Sequence, residues 1–347
     1  MISIGGKKIG PGHPCFVIAE AGVNHNGDIQ KAKRLVRIAK DVGADAVKFQ
    51  TFCAERLVTS EAPKAEYQAR NTAPKETQYQ MLRKLELSAS DHNALIDECR
   101  AAGILFLSTP FDEISSDMLD ALKVPAFKLP SGELTNLAFL SHVAKKGKPM
   151  LVSTGMADLG EVADAVKAIK KAGGPPLVLL HCVSSYPADP GDANLRAMET
   201  MRKTFKTPVG FSDHTLGFEV SLAAVALGAC VIEKHITLDR GLPGPDHAVS
   251  LEPDEFAAMV RAVRNVERAL GDGRKQGAAS EADAAKVARK SLVAARPISK
   301  GAVFTAEALV VQRPGTGLPP SELQRVLGKK ARKDIPAGKV ITKEMVS

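Results

Sequence analysis

The feature that most constrains the fold is a regular alternation of short apolar runs and helical stretches over the first 270 residues. Eight runs are predicted to be β-strands: residues 16–20, 46–50, 104–108, 126–129, 150–153, 177–182, 209–212 and 231–235. Segments with helical patterns alternate with these strands: residues 29–42, 91–102, 114–122, 137–145, 160–171, 196–205, 218–227 and 255–270. Eight strand–helix units are typical of a parallel (β/α)8 TIM barrel, because an open doubly wound sheet normally has fewer units.

The rest of the 347-residue chain predicts a second, smaller domain. We assign residues 1–275 to the barrel, residues 276–288 to a Gly- and Ala-rich linker, and residues 289–347 to a compact β-rich module. Residues 1–288 carry 35 basic against 35 acidic side chains, whereas residues 289–347 carry 12 against 4. The net charge of +8 therefore belongs to the small domain.

Composition argues against several classes of partner. Aromatic residues make up only 4% of the chain and Trp is absent, so a stacking platform for nucleic acid is not expected. No apolar run reaches about 18 residues, and the N-terminal segment lacks the apolar core of a signal peptide. The five cysteines include no CxxC pair, which predicts neither disulfides nor a zinc knuckle. We expect a cytoplasmic enzyme without a membrane or nucleic-acid partner.

Side chains able to take part in chemistry stand where the predicted strands end, although barrel strands are otherwise apolar. They are Glu20, Lys48, Ser108, Thr109, Lys128, Ser131, Glu133, Ser153, Thr154, His181, Ser212, His214, Glu233 and His235. In a TIM barrel the carboxyl ends of the strands form the active site. Polar endings on so many strands therefore predict an enzyme. The long connection at residues 51–90 belongs to the same face and is a candidate lid or substrate wall.

The basic and hydroxyl side chains of this ring favour an anion site. Lys48 and Lys128, with Ser131, Ser153 and Ser212, supply the charge and hydrogen-bond donors that suit a phosphate and a carboxylate. Structural ion pairs with nearby glutamates are the alternative for either lysine. A Schiff-base lysine, which would define an aldolase, is the competing functional interpretation.

Two histidines and several carboxylates add further possibilities. His214 and His235 come from neighbouring strands and are candidates to share a metal ion. The loop at residues 241–247 presents Asp246 on the same face. Glu20 and Glu133 are candidates for proton transfer, with orientation of the lysines as the alternative.

These residues lie in motifs that resemble the sialic acid synthase family. The motifs are IAEAGVNHNGD (18–28), VKFQT (47–51), FKLPSGELTN (127–136), VSTGM (152–156), YP (186–187), GFSDHT (210–215) and EKHIT (233–237). The tail, with RP at 313–314, resembles the antifreeze-like SAF (β-clip) domain of the same family. The similarity covers essentially the whole chain in the expected order.

The resemblance implies a metal-dependent condensation of phosphoenolpyruvate with an open-chain N-acetylated amino-sugar aldehyde. The products would be a nine-carbon 2-keto acid and phosphate. Of the possible sugars we favour N-acetylmannosamine, with N,N'-diacetyllegionaminate or pseudaminate synthesis from a diacetamido-trideoxy sugar as alternatives. The family also implies a homodimer in which the SAF domain is swapped between subunits.

The resemblance further implies roles for individual residues. His214 and His235 would hold Mn²⁺ or Mg²⁺, and Glu20, Glu133 and Asp246 would be catalytic. Phosphoenolpyruvate would contact Lys48, Thr109, Lys128, Ser131, Ser153, Ser184, Tyr186 and Ser212. The sugar would contact Gln50, Asn71, Glu133, Asp246 and, from the partner subunit, the residue equivalent to Arg313. Ser184 stands where some members of the family carry Asn.

Three other classes of protein compete with this interpretation. A Schiff-base aldolase would use Lys48 or Lys128 without a metal. A synthase acting on a sugar phosphate would need a second phosphate site, for which the basic residues between positions 56 and 84 are the candidates. A sugar- or ice-binding protein is suggested only by the SAF-like tail.

Overall fold

The structure, a computed structural model, describes residues 2–73 and 75–347. The chain divides into two compact units, Met1–Gly271 and Asp272–Ser347. The first unit is the predicted barrel. Its strands, numbered in chain order after a short N-terminal pair, are β1 (Ile2–Ile4), β2 (Lys7–Ile9), β3 (Phe16–Gly22), β4 (Ala46–Thr51), β5 (Leu105–Pro110), β6 (Phe127–Leu129), β7 (Met150–Ser153), β8 (Leu177–Cys182), β9 (Val209–Asp213) and β10 (Val231–His235).

Strands β3–β10 form one parallel sheet in the order β5-β4-β3-β10-β9-β8-β7-β6. The first and last strands of the chain's barrel, β3 and β10, pair in register from Phe16 with Val231 to Glu20 with His235. The sheet therefore curls round on itself, and β5 lies beside β6 at the remaining seam. The prediction of a (β/α)8 barrel is confirmed, and all eight predicted strands are present.

Helices cover the outside of the sheet and follow the strands in sequence. They are α1 (Ile29–Asp41), α2 (Ala54–Leu57), α3 (Glu66–Asn71), α4 (Gln78–Arg83), α5 (Ala89–Ala102), α6 (Glu113–Ala121), α7 (Leu137–Ala144), α8 (Leu159–Lys171), α9 (Ala197–Phe205), α10 (Glu219–Ala226) and α11 (Pro253–Leu270). Several of these helices begin at a residue whose side chain caps the helix N-terminus. Asp28, for example, accepts hydrogen bonds from the backbone of residues 30 and 31 at the start of α1.

The barrel has two apolar layers, one inside the sheet and one between sheet and helices. Ile18, Leu107 and Val178 belong to the inner layer, and the β1–β2 hairpin adds Ile4 and Ile9 to that same cluster. The hairpin closes the amino-terminal end of the barrel and was not expected from the sequence. Because the interior is packed at this end, the barrel opens to a ligand at the carboxyl ends of the strands.

The connection between β4 and α5 contains three short helices, α2, α3 and α4. Its apolar side chains pack on the rim of the barrel in a small separate cluster, in which Phe52, Met81 and Leu85 are buried against Val23. The predicted wall of the top face is thus an ordered segment with its own core. It provides one side of the cavity described below.

The second unit has its own small core. It contains α12 (Ala282–Ala288), α13 (Leu323–Val326) and an antiparallel pair of strands, β11 (Ser291–Ala294) and β12 (Leu309–Gln312). Isolated bridges such as Ile298 with Ile335 extend the pairing. Leu292, Phe304 and Ile341 are fully buried in its centre. In the part of the chain that the structure describes, we find no helix with the length and apolar character needed to cross a membrane.

Candidate active site

A cavity of about 460 Å³ opens at the carboxyl ends of the barrel strands. Most of the residues predicted for the site line it: Glu20, Lys48, Gln50, Thr109, Lys128, Ser131, Ser153, Ser184, Tyr186, Ser212, His214, His235 and Asp246. Strand alternation explains the selection. On β4, Lys48 and Gln50 face the cavity, whereas Phe49 packs in the outer apolar layer.

Buried charges of both signs meet at the floor of the cavity. Lys48 Nζ lies 2.6 Å from Glu20 Oε2 and 3.6 Å from Glu233 Oε2. Lys128 Nζ lies 3.4 Å from Glu233 Oε1. Ser212 donates a hydrogen bond of 2.8 Å to the same oxygen of Glu233. The two lysines are thus held by two carboxylates in a network that is shielded from solvent.

This network fixes the charge states of its members. Burial alone would raise the pKa of Glu233, but the ammonium groups of Lys128 and Lys48 lower it to about 2. Burial opposes the charge of Lys48, yet Glu20 and Glu233 raise its pKa above the usual value. Burial lowers the pKa of Lys128, with Glu233 acting against the shift. For Glu20, burial and the neighbouring Glu233 outweigh Lys48 and raise the pKa.

Small polar groups form a second region beside Lys128. Ser131 Oγ accepts a 3.0 Å hydrogen bond from the Gly155 backbone N–H and lies 3.0 Å from Cys182 Sγ. Ser153 Oγ is buried and has no hydrogen-bond partner among the described residues. An unpaired buried hydroxyl is costly unless a ligand or water pairs with it. These donors, next to a lysine, suit an oxyanion.

Two neutral imidazoles stand at the rim. The ring centroids of His214 and His235 are 5.5 Å apart. His214 donates through Nδ1 to the carbonyl oxygen of Val183 at 2.7 Å, which leaves Nε2 available. Burial lowers the pKa of both histidines. The neutral ring is the form that binds metals, so these two side chains are the natural candidates for a metal.

Asp246 approaches the histidines from the loop that follows β10. Its Oδ2 atom lies 4.0 Å from His235 Nδ1, which has no hydrogen-bond partner within the described ranges. Burial, and secondly Glu20, raise the pKa of Asp246 to about 7. Tyr186 covers this corner, with its ring centroid 4.1 Å from that of His214, and burial holds its pKa well above the usual value.

The remaining side of the cavity is apolar. Its residues come mainly from the α2–α4 segment and are Val23, Leu57, Val58, Met81, Leu82, Leu85 and Phe111, with Tyr67 and Gln68 above them. Lys48 and Lys128 are the only basic side chains among the described residues that line the cavity. Lys64, in the same segment, does not line it and is paired with Thr72 and Glu76.

Three of the residues predicted to contact a substrate do not line this cavity. Glu133 lies in the turn after β6 and accepts a 2.8 Å hydrogen bond from Asn136. Asn71 lies behind the apolar side, where its Nδ2 donates to the Pro245 carbonyl oxygen at 3.2 Å and so ties α3 to the loop of Asp246. Arg313 belongs to the second unit, where its Nε donates to a backbone carbonyl oxygen. Their roles as ligand contacts stay predictions.

Sequence reasoning underestimated some residues and misplaced three further members of the polar ring. Besides His181 these are Ser108, which bonds to the Thr51 hydroxyl, and Thr154, which donates to the Leu180 carbonyl oxygen. The sequence placed Glu233 at the end of a strand but did not predict its position between the two lysines. Glu233 and His235 are two residues apart on one strand, so alternation could have indicated that both face the cavity. Cys182 and Gly155 were not considered, and both adjoin Ser131. His181 was placed in the polar ring, yet it lies outside the cavity because Cys182 takes the inward position, and its Nε2 contacts the carbonyl oxygen of Ala193.

Comparison with known protein families assigns both parts of the chain. The NeuB family matches residues 35–275, and the SAF domain matches residues 289–347. The chain is a member of the NeuB family.

Individual relatives extend this finding over the whole length. An N,N'-diacetyllegionaminic acid synthase of Legionella pneumophila is 48% identical over 98% of this chain and 97% of the relative. A protein of the same name from Campylobacter jejuni is 48% identical over 92% of this chain and 96% of the relative. The crystal structure of an N-acetylneuraminic acid (sialic acid) synthetase from Leptospira borgpetersenii is similar with a TM-score of 0.73 and 37% identity, covering 82% of this chain and 94% of that one.

Proposed function

We propose that this enzyme condenses phosphoenolpyruvate with an open-chain N-acetylated amino-sugar aldehyde and water to give a nonulosonic acid and phosphate. The observation that carries the proposal is the single cavity in which two buried lysines, a row of hydroxyls and two neutral histidines converge. Membership of the NeuB family supports the same reaction. A carbon–carbon bond forms from C3 of phosphoenolpyruvate to the aldehyde carbon, water adds at C2, and phosphate leaves.

The floor of the cavity binds phosphoenolpyruvate in this proposal. Lys48 and Lys128 balance its negative charges, and Ser131 and Ser153 donate hydrogen bonds. Ser212 lines the same floor and donates to Glu233. The unpaired Ser153 hydroxyl gains a partner when the anion binds. Glu233 holds both ammonium groups towards the ligand. Glu20, whose pKa is raised by burial, accepts the proton of the water that adds at C2.

A divalent metal, Mn²⁺ or Mg²⁺, fits at the rim. The unpartnered His235 Nδ1 and the free Nε2 of His214 are the available protein ligands, with Asp246 beside them. The described residues contain no group of three or more His, Cys, Asp or Glu arranged to hold an ion, so water and substrate oxygens would complete its shell. When bound, the metal would polarise the aldehyde oxygen of the sugar as a Lewis acid.

For the sugar we propose a 2,4-diacetamido-2,4,6-trideoxy hexose, with N-acetylmannosamine as the second candidate. The apolar side formed by Leu57, Met81 and Leu82 matches the methyl groups of a 6-deoxy carbon and a second acetamido group better than it matches hydroxyls. The two relatives at 48% identity carry the legionaminic name, while the similar solved structure is a sialic acid synthetase. The sequence alone had favoured N-acetylmannosamine.

A sugar phosphate and a Schiff-base aldolase are both less compatible with the cavity. A second phosphate would need a further cation, and the described lining offers only Lys48 and Lys128. The pKa of Lys48 is raised, whereas a Schiff-base lysine must be readily deprotonated. Burial lowers the pKa of Lys128, so for this lysine the argument is its contact with the Glu233 carboxylate, and the borohydride test below decides.

We also propose a homodimer in which the SAF domain of one subunit completes the active site of the other. Large apolar side chains stand exposed on the segments that follow the strands, among them Ile114, Met156 and Leu216. Met156 lines the cavity, and large apolar side chains left exposed on these segments favour a covering surface. The five cysteines are free thiols, which favours a reducing cytoplasm.

The first test is phosphate release from phosphoenolpyruvate with Mn²⁺, comparing 2,4-diacetamido-2,4,6-trideoxymannose with N-acetylmannosamine. We expect turnover with the diacetamido sugar, a lower kcat/KM with N-acetylmannosamine, and loss of turnover in EDTA. Borohydride with substrate should trap no covalent adduct. Absence of turnover with both sugars in folded, metal-loaded protein would refute the proposed reaction. Full turnover in EDTA would refute the metal alone.

A further inference from the structure

A buried ion pair lies behind the two histidines, on the side of the strands that faces away from the cavity. Lys234 Nζ is 3.0 Å from Asp213 Oδ2, and neither side chain has exposed surface. The two residues oppose each other directly in the register of β9 and β10. Each is followed in the chain by a histidine of the cavity, His214 after Asp213 and His235 after Lys234.

The ion pair is the centre of a closed hydrogen-bond network. Asp213 Oδ1 accepts hydrogen bonds from the Thr215 backbone N–H at 2.9 Å and from the Thr215 hydroxyl at 2.7 Å. Ser221 donates to Asp213 Oδ2 at 2.6 Å. Lys234 donates to the Thr215 carbonyl oxygen at 2.5 Å. The backbone N–H of Thr215, the residue after His214, is therefore held by Asp213 of β9, and its carbonyl oxygen by Lys234 of β10.

Stability alone gives no reason for charges at this place. Burying two ions carries a desolvation penalty, and replacing a buried ion pair by apolar residues of similar size is often neutral or stabilising. The surrounding outer layer is apolar and contains Phe211, Ile232 and Ala224. An apolar pair would therefore fit the layer. The network instead fixes the relative orientation of the two strand ends that carry His214 and His235, because it joins them.

We propose that Asp213 and Lys234 are positioning residues that fix the spacing and orientation of His214 and His235, and so the geometry in which the two imidazoles hold a divalent cation. The inference rests on the proposed metal site. Asp213 and Lys234 themselves would contact neither the substrate nor the metal. Groups that orient metal ligands from behind commonly change metal affinity when they are replaced.

Two variants separate positioning from folding. Lys234→Met removes the ammonium group and leaves the Asp213 carboxylate buried without its counter-charge, which is expected to lower thermal stability as well. The double replacement Asp213→Asn with Lys234→Met removes both charges but keeps an oxygen that accepts from Thr215. We expect the double variant to fold, and we expect both variants to bind Mn²⁺ about 10- to 100-fold more weakly than the wild type.

The readouts are Mn²⁺ binding measured by isothermal titration calorimetry without substrates, phosphoenolpyruvate binding without metal, and thermal unfolding. Phosphoenolpyruvate affinity should stay unchanged, because the anion-binding floor is not part of the network. Arg264→Met is the matched control. It removes an ion pair with Asp45 of 3.2 Å near the amino end of β4, so it should lower stability without changing Mn²⁺ affinity.

Wild-type Mn²⁺ affinity in the folded double variant would overturn the inference. So would equal losses of Mn²⁺ and phosphoenolpyruvate affinity, since these would indicate a general structural defect. A wild-type protein that binds no Mn²⁺ would overturn it together with the metal site. The titration needs no turnover, so failure of the proposed reaction leaves the comparison between variants decisive.

Discussion

Glu233 and Lys128 lie with Oε1 and Nζ 3.4 Å apart at the floor of the cavity, and each side chain is almost completely shielded from water. The carboxylate is the main group that keeps the buried ammonium charged, because burial alone lowers the pKa of Lys128. In the proposed reaction, a charged Lys128 is in turn what phosphoenolpyruvate binding requires. Glu233 thus keeps the proposed anion site positively charged without contacting the anion itself.

We therefore predict that Glu233→Gln makes phosphoenolpyruvate binding depend on pH. Without the carboxylate the pKa of Lys128 falls further, so the ammonium loses its proton as the pH rises and the binding charge disappears. At a pH above both pKa values, the KM for phosphoenolpyruvate should exceed that of the wild type about tenfold for each unit by which the substitution lowers the pKa of Lys128. At about pH 6, where Lys128 keeps its proton, KM should be equal or lower, because a negative charge has been removed.

The measurement is KM for phosphoenolpyruvate from pH 6 to 9 in wild type and variant. Lys128→Met serves as control, since it has no ammonium group to titrate and should show a high KM without this pH dependence. A ratio of variant to wild-type KM that stays constant with pH would contradict the explanation.

A second prediction concerns Gly155, whose backbone N–H donates to Ser131. A Cβ at this position would lie 2.8 Å from Ser131 Oγ and 2.7 Å from Cys182 Sγ, and closer still to Ser184 Oγ. All three neighbours are side chains, so Gly155→Ala should displace them while the barrel still folds. Displacing hydroxyls that bind a charged group costs about 1.5–3 kcal/mol, so KM for phosphoenolpyruvate should rise at least about tenfold.

Gly160→Ala is the matched control for this substitution. Gly160 lies further along the same connection, in the first turn of α8, and its Cβ would meet only Asp158 Oδ1 at 3.2 Å. Its kinetics should match the wild type. If Gly155→Ala left KM unchanged, the Ser131 region would not contact phosphoenolpyruvate.

How far the sequence predicts this site depends on what periodicity can encode. Alternation along β4 and β10 correctly indicated which residues share a face with Lys48 and with His235. The eight strand–helix units predicted that these faces point into one barrel. Distances across the barrel are set by strand register and twist, which no local pattern carries. The contact of Glu233 with both lysines, and the departure of Glu133 into its own turn, could therefore be read only from the structure.

The same limit explains other differences. The β1–β2 hairpin closes the barrel with residues too few to show a period, and the ion pair of Asp213 and Lys234 looks in sequence like two further members of the polar ring. Alternation places Lys234 on the face opposite Glu233 and His235, but only the pairing of β9 with β10 shows that it meets Asp213 there.

A third prediction concerns acid stability and His25, which is fully buried beneath the α2–α4 segment. Burial, and secondly His92, lower the pKa of His25 to about 4 from 6.5. Below pH 6.5 the unfolded chain therefore binds a proton that the folded chain does not, and the free energy of unfolding falls as the pH decreases from 6.5 towards 4. At pH 5 this histidine should cost about 2 kcal/mol.

Urea unfolding at pH 7 and pH 5 measures the loss. His25→Asn, which keeps an acceptor for the 3.0 Å hydrogen bond from the Gly27 N–H, should reduce the difference between the two pH values by about that amount. His13→Asn, in a loop at the opposite end of the barrel, should leave the difference as it is. An unchanged difference in His25→Asn would show that other groups cause the acid sensitivity.

The final prediction tests the proposed swapped dimer through complementation between two impaired subunits. His235→Ala lacks a proposed metal ligand in the barrel, and Arg313→Ala lacks the guanidinium that would reach the sugar; loss of such a charged contact should lower kcat/KM for the sugar about 10- to 100-fold. In a swapped dimer, a mixed pair contains one site with an intact barrel from the Arg313→Ala subunit and an intact SAF domain from the His235→Ala subunit.

After the two variants are unfolded and refolded together in equal amounts, half of the dimers are mixed and half of their sites are intact, so about a quarter of wild-type activity should return. Refolded alone, His235→Ala should be inactive, and Arg313→Ala should keep at most about a tenth of the wild-type kcat/KM. If the SAF domain instead served the barrel of its own chain, every site would carry one of the two substitutions, and mixing would restore nothing. The fraction recovered therefore distinguishes a site shared between subunits from a site built within one subunit.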